Sequence, residues 1–533
     1  MSDAPDAIVI GAGPNGLVAA NVLADAGWEV VVLEAEADAG GAVRSGELTL
    51  PGFVHDRFSA FYPLGAASPI LSGLGLEHFG LRWRRSPLVL AHPRADGTAA
   101  VLSTDIDETT ASLDTDSPGD GDAWRQLYDL WQRIGDPLID ALLSPFPPVT
   151  AGARLVGRLG AAGVQHFARF GLLSVQRLAD EEFAGQKGGL LLTGAALHTD
   201  LAPDSATSGL FGWLLCSIGQ QLGFPVPEGG AGRLSGALVS RLEARRGRLV
   251  YGARVTRVII RNGRAVGVRT ADGTEYQAGR AVLADVGAPA LYQEMIGAEH
   301  LPARVINDLR RFQYDNATVK IDWALDGPIP WSAGDARRAA TVHVADHLDH
   351  YIETSGQLAR GEIPARPTLV VGQMGVADPT RSPAGTETAW AYTHVPQRVR
   401  RDAGGNLKGV WDDAEGEAFA ERVEAQIETL APGFRDLVLG RYIGTPPTLE
   451  ASNANLVGGA VNGGSSQIHQ QLIFRPIPGL ARSETPIRNL YLASASAHPG
   501  GGVHGAPGAN AARGALAADK WKRRFRAVGA RSR

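Results

Sequence analysis

The thirty residues AIVIGAGPNGLVAANVLADAGWEVVVLEAE, positions 7–36, leave the chain little freedom of fold. An apolar run, Ala7–Ile10, is followed by glycines spaced G-x-G-x-x-G. Helical periodicity then runs over residues 15–26, Gly27 stops it, and a second apolar run covers 29–33. Uninterrupted apolar runs suit parallel strands buried on both faces, and glycine ends helices because it takes left-handed backbone at no steric cost. The order predicts a βαβ unit. Within it Gly11 supplies the tight turn, Gly13 lets backbone approach a pyrophosphate, and Gly16 lets helix pack on strand. Pro14 precedes the helix and Asn15 opens it, with its first N–H groups facing the anion. Glu34, followed by Ala35, stands at the end of the second strand. A carboxylate there accepts hydrogen bonds from ribose hydroxyls and repels a 2′-phosphate, so FAD or NAD is predicted rather than NADP.

The whole chain, 533 residues with 44% hydrophobic residues and a net charge of −5, supports a large buried core and lacks the basic balance of a nucleic-acid binder. The opening Met-Ser-Asp-Ala-Pro-Asp carries no basic region, and no stretch of 18 uninterrupted apolar residues occurs. A cytoplasmic protein without a spanning helix is expected. Cys216 is the one cysteine, which removes an internal disulfide, a C-x-x-C pair and a thiolate metal site. His343, His347 and His350 have helical spacing that would present them on one face, but polar helix surfaces produce this pattern without a metal, and none is expected.

A second glycine pair, Gly40-Gly41 in EADAGGAVRSGELTLPGFVHD, permits another close backbone approach, with Arg44 placed to reach the same pyrophosphate. At the far end ASAHPGGGVHGAPGANAARGAL carries Gly500, Gly501, Gly502, Gly505 and Gly508 around a helix start after Pro507. The positive end of that helix would stabilise negative charge on a reduced isoalloxazine, an effect of about 0.3–2 kcal/mol that tunes a flavin without creating its reactivity. Between these ends, residues 253–285 alternate in hydropathy around Asn262-Gly263 and Asp272-Gly273, which reads as a β-meander. Its strand 255–259, with Val258, would lie nearest the adenine. The fold class is therefore α/β: a discontinuous Rossmann-like FAD-binding domain of the glutathione-reductase type with a β-meander, plus an interleaved α+β substrate domain. Residues 1–80, 223–295 and 481–533 are expected to form the first, and residues 81–222 and 296–480 the second.

These segments, with GFPVPEGGAGRLSGAL and DPTRSPAGTETAWAYTHVP, resemble the carotenoid and retinoid oxidoreductase family that includes the phytoene desaturases. Within it the words resemble the pyridine nucleotide-disulfide oxidoreductase domain-containing protein 2 branch. The likeness spans nearly the full length. It implies non-covalent FAD, held by Gly11, Gly13, Pro14, Asn15, Gly16, Glu34, Ala35, Gly40, Gly41, Arg44, Val258, Gly501, Gly502, Val503 and Gly505. It also implies oxidation of a hydrophobic small molecule and reoxidation by oxygen or a quinone. A lone Cys216 argues against disulfide chemistry.

On the substrate side, Trp124, Leu127, Tyr128, Trp131 and Ile134 fall on one helical stripe, read as core, with Asp120 or Asp122 as its cap. Residues 137–178 are apolar with Arg154, Arg158, Arg169 and Arg177 spaced along them and Asp140 opposing. This suits an ordinary helix bundle, or peripheral contact with anionic lipid. Phe211, Trp213 and Phe224 lead into a cofactor word and would line a tunnel. The basic tail from Lys520 reads as solvated. His55, Asp56, His498 and His504 are the titratable groups set beside the glycine segments, each a candidate base or a structural hydrogen-bonding group. No catalytic residue is assigned. Two alternatives stand beside the desaturase reading: a flavin amine oxidase, whose aromatic cage the HPGGGVHG segment does not offer, and an FAD-binding regulatory protein with little catalysis.

Overall fold

The computed structural model describes the backbone over residues 4–531 and side chains over residues 4–524. The opening unit forms as strand Ala7–Ile10, helix Pro14–Asp25 and strand Val30–Leu33, and the helix begins one residue earlier than expected because proline is well suited to a first helical turn. These strands sit in a five-stranded parallel sheet ordered Leu490–Leu492, Ala281–Ala284, Ala7–Ile10, Val30–Leu33, Arg248–Val250. Alternate residues of one strand serve two layers. Ala7 and Val9 pack with Leu17, Val18 and Leu23 of the helix, whereas Ile8 and Ile10 pack with Val258 and Val268 on the other side. That second layer is the predicted meander, an antiparallel sheet of Val255–Arg261, Arg264–Thr270 and Glu275–Gln277. The chain returns for the outer strand Leu490–Leu492 and the helix Ala506–Arg531, which starts at Ala506 rather than after Pro507.

A second sheet has seven strands, ordered Val438–Gly444, Ala317–Leu325, Glu387–Val395, Leu369–Gln373, Ala339–Val344, Leu88–Pro93, Ala99–Leu102. Val319, Ile321 and Trp323 turn one way and pack with Phe419, Val423 and Ile427 of helix Asp413–Glu428. The intervening residues, Thr318, Lys320 and Asp322, turn the other way, as period-two alternation requires.

Several local expectations change. His343 lies in the strand Ala339–Val344, His347 precedes the helix Leu348–Ala359 and His350 lies inside it, so the three do not share a helical face. Among the described residues no group of three His, Cys, Asp or Glu side chains is arranged to hold a metal. Trp124, Leu127, Trp131 and Ile134 are buried on helix Asp120–Leu143, as the stripe predicts, but Asp120 does not cap it. Its carboxylate accepts from the N–H groups of Ala184 and Gly185, both at 2.9 Å, and so ties this helix to the loop between helices Val175–Glu182 and Lys187–Leu197. Among the described residues Asp140 pairs with Arg154 alone, at 2.8 Å; Arg169 and Arg177 both bond Glu181, just past Leu178. Within Val149–Leu172 the backbone breaks at Gly160. Among the described residues no helix is long and apolar enough to cross a membrane.

Candidate active site

The three glycine-bearing segments, up to about 490 residues apart, meet at the first turn of helix Pro14–Asp25. Gly40 donates its N–H to Ala12 O at 2.8 Å, and a Cβ on Gly41 would stand 3.1 Å from the Cα of Gly13. From the far end of the chain, a Cβ on Gly508 would collide with the carbonyl oxygen of Asn15, so the two helices meet backbone to backbone. Glu34 is buried at the head of this turn, accepting from Ala12 N at 2.6 Å and from Glu36 N at 2.9 Å. Asn15 Oδ1 is buried with no hydrogen-bond partner among the described residues. An orphaned polar atom beside glycine-lined backbone and a helix N-terminus fits a bound dinucleotide.

The C-terminal glycine segment borders a cavity with about 1770 Å³ of unfilled space, its mouth included. Residues 58–65 and 501–504 line it together with Thr318, Lys320, Trp390 and Tyr392 of the seven-stranded sheet. Phe211, Leu214 and Leu215 of helix Ser208–Leu222 cover it. Trp390 and Tyr392 stack at 6.1 Å, and Lys320 Nζ lies 5.5 Å from the Trp390 ring while paired with Asp322. Gly372 makes room for this arrangement, since a Cβ there would collide with the indole.

Comparison with known proteins matches residues 9–71 to the NAD(P)-binding Rossmann-like domain and residues 99–359 to the flavin containing amine oxidoreductases. Over 95% of the chain and 92% of its own length, the pyridine nucleotide-disulfide oxidoreductase domain-containing protein 2 of Rattus norvegicus is 29% identical. The hydroxyneurosporene desaturase of Cereibacter sphaeroides is 26% identical over 94% of each chain. The chain is an FAD-dependent oxidoreductase, similar to the flavin containing amine oxidoreductases and to desaturases. An oxidoreductase from Methanosarcina mazei shares its fold, with 19% identity and a TM-score of 0.63 over 96% of this chain and 99% of that one.

The titratable residues singled out from sequence fall into two groups. His55 and Asp56 do not line the cavity. Asp56 is fully buried; one oxygen pairs with Arg381 and the other accepts from Ser45 Oγ at 2.8 Å and Ala231 N at 2.7 Å. His55 bonds Thr49 through Nε2 at 2.8 Å and has Nδ1 3.5 Å from Asp322. Neighbours in sequence, they fasten the glycine-bearing hairpin to the seven-stranded sheet. His504 does line the cavity, but Ala506 N donates to its Nδ1 at 3.1 Å, so its proton sits on Nε2 and goes to Gly501 O, also at 3.1 Å. Burial pushes its pKa down to about 4, leaving a neutral ring that braces the loop. His498 is buried against Phe146 and likewise pushed down to about 4 by burial.

Arg44 donates to Gly41 O at 3.0 Å and Ser452 O at 2.7 Å, tying the second glycine segment to helix Pro446–Ser452. Val258 is buried in the meander core. Gly501, Gly502 and Val503 line the cavity, and Gly505 packs on Val18. Phe211 and Phe224 line it as expected, whereas Trp213 is buried away from it, donating to Leu127 O at 2.9 Å.

Other residues of the site carried no signal strong enough to single them out. Asp285, after the strand Ala281–Ala284, accepts from Gly16 N at 2.8 Å, and burial raises its pKa to about 7. Arg475 is buried beneath Gly500, donating to the carbonyls of Asn462, Ser465 and Ala495. Burial lowers its pKa to about 10, so the guanidinium stays charged. Lys320 has only a faint local signature, a lysine within the largely apolar run ATVKIDWAL, too weak to single it out.

Proposed function

We propose that the protein dehydrogenates or desaturates an apolar molecule held in this cavity, with transfer of a hydride to FAD. The observation that carries this reading is the composition of the wall. It includes Phe58, Phe61, Phe211, Leu214, Leu215 and Trp390, and none of its residues is Asp or Glu. An alkylammonium substrate would find no counter-ion there and would face Lys320, whereas an apolar substrate gains about 25 cal/mol for each Å² it buries. The desaturase relative bears on the same point.

Gly11, Gly13, Pro14, Asn15 and Gly16 would hold the pyrophosphate, Glu34 the ribose, and the loop of Gly501, Gly502 and Val503 the flavin end. FAD supplies the two-electron acceptor when bound; the chain supplies position and dryness. Residues 1–80, 223–295 and 481–533 would form the cofactor unit, and residues 81–222 and 296–480 the cover. Apolar substrates reside in membranes, and the cavity reaches the surface at Val461, which is 39% exposed. Leu472, Ile473 and Phe474 are exposed nearby in sequence, a pattern that favours peripheral contact with a lipid surface over free diffusion. Oxygen or a quinone would then reoxidise the flavin.

The amine oxidase reading draws on the stacked Trp390 and Tyr392, a flat aromatic face on the cavity. Anaerobic mixing of the FAD-loaded protein with terpenes, carotenoids and amines separates the readings. Loss of flavin absorbance with terpenes or carotenoids is expected. Bleaching by amines alone would replace the proposal with amine oxidation, and bleaching by none of them would favour the regulatory reading.

A further inference from the structure

The cavity has one polar pole that the reading above leaves unused. Tyr392 Oη lies 3.3 Å from His198 Nδ1, and His198 Nε2 lies 2.9 Å from His343 Nε2. Tyr392 and His198 line the cavity, while His343 is buried behind them. His343 Nδ1 has no hydrogen-bond partner among the described residues and is pressed on the backbone of helix Lys187–Leu197, where a Cβ on Gly194 would collide with it. Thr318, one register step along the same sheet face, also lines the cavity with its Oγ1 unpartnered.

The direction of the chain follows from His343. A buried N–H without an acceptor is costlier than a bare ring nitrogen, so the His343 proton belongs on Nε2, donated to His198 Nε2. His198 must then carry its own proton on Nδ1 and donate it to Tyr392 Oη. Burial lowers the pKa of both imidazoles, to about 4 for His198, so neither gains a second proton at neutral pH. With its oxygen already accepting, Tyr392 has its own proton free for the cavity.

The geometry points to an oxygen-recognition site: Tyr392, oriented by His198 and His343 and assisted by Thr318, binds a carbonyl or hydroxyl oxygen on an otherwise apolar substrate. This rests on the reading of the cavity as an apolar substrate site, and it narrows the substrate class from hydrocarbons to oxygenated terpenoid-like or lipid molecules. Tyr392 and Thr318 contact the substrate in this account. His198 and His343 are positioning residues.

Anaerobic titration calorimetry of the full-length, FAD-loaded protein with carvone and limonene, which share one carbon skeleton and differ by a carbonyl, tests it. Carvone is expected to bind about three- to tenfold more tightly, the worth of one neutral hydrogen bond. Tyr392→Phe, which removes a single oxygen atom, should bring the ratio near one while leaving limonene binding almost unchanged. Thr318→Val should lower it part-way. His343→Phe, which frees His198 to accept from Tyr392, should lower it too, and lost packing alone would weaken both ligands equally. Equal binding by the native protein, or a ratio that survives Tyr392→Phe, overturns the oxygen site alone. Binding of neither terpene, with an amine binding instead, overturns the apolar reading beneath it.

Discussion

Where the glycine-bearing segments meet, main chain approaches main chain: Gly40 bonds Ala12, Gly41 rests on Gly13, and Gly508 abuts Asn15. On the seven-stranded sheet the cavity is lined instead by Thr318, Lys320, Trp390 and Tyr392, side chains that share one face because alternate residues of paired strands project together. In the proposed function the first region has one task, to let backbone approach an anionic cofactor, and glycine is the residue suited to it. The second would match a particular substrate, and many residue sets satisfy a sheet face. A constrained task leaves a motif; a permissive one leaves an alternation pattern.

If the two regions are distinct, the residues that fasten them should matter most. Asp56 and Arg381, both fully buried, join the glycine-bearing hairpin to the segment after strand Leu369–Gln373. Asp56→Ala leaves the buried Arg381 guanidinium with Asp378, at 3.4 Å, as its remaining carboxylate among the described residues and is expected to cost about 3–5 kcal/mol, read as a large fall in Tm and loss of bound flavin. Next comes Asp285, whose burial raises its pKa to about 7. Below the ordinary carboxylate pKa both folded and unfolded chains hold this proton. As pH rises toward 7 only the unfolded chain releases it, so stability falls, and the loss is complete above about pH 7. Asp285→Asn should therefore be on the order of 2–4 kcal/mol more favourable relative to native at pH 8 than at pH 5 by urea denaturation.

Paired changes in the two regions sharpen the contrast. Gly508→Ala should cost about 1–3 kcal/mol and reduce FAD content, because a methyl group enters the helix contact at Asn15. Gly372→Ala, which pushes on Trp390, should cost a similar or smaller amount but leave FAD content intact and raise KM for the substrate instead. At the small end, Arg154→Ala removes an exposed pair with Asp140 and should shift stability by no more than about 0.5 kcal/mol, with both flavin content and KM unmoved. A loss of FAD in Gly372→Ala would show that the regions are not independent.

The parallel strands, the first helix, the meander and the return of the C-terminal helix were legible because each rests on local periodicity or a glycine whose role is fixed. His55 and Asp56 were read as groups near the cofactor. Their partners, Asp322 and Arg381, lie more than 260 residues on, and nothing local distinguishes a buried clasp from a base. The histidines at 343, 347 and 350 fit a helical face by number alone, yet a strand ends between the first two. Asp285 follows an apolar strand without a motif to mark it, and its importance comes from Gly16, reached only when two parallel strands pair.

What the chain's own letters settled was the Rossmann-like unit and the kind of cofactor: glycine spacing, a helix start and a terminal acid suit a dinucleotide because main-chain approach admits few alternatives. What the three-dimensional arrangement alone decided was the cavity. There Tyr392, His198 and His343 acquire meaning only through contacts among segments widely separated in sequence, and the direction of their hydrogen bonds follows from the burial of one ring nitrogen against Gly194.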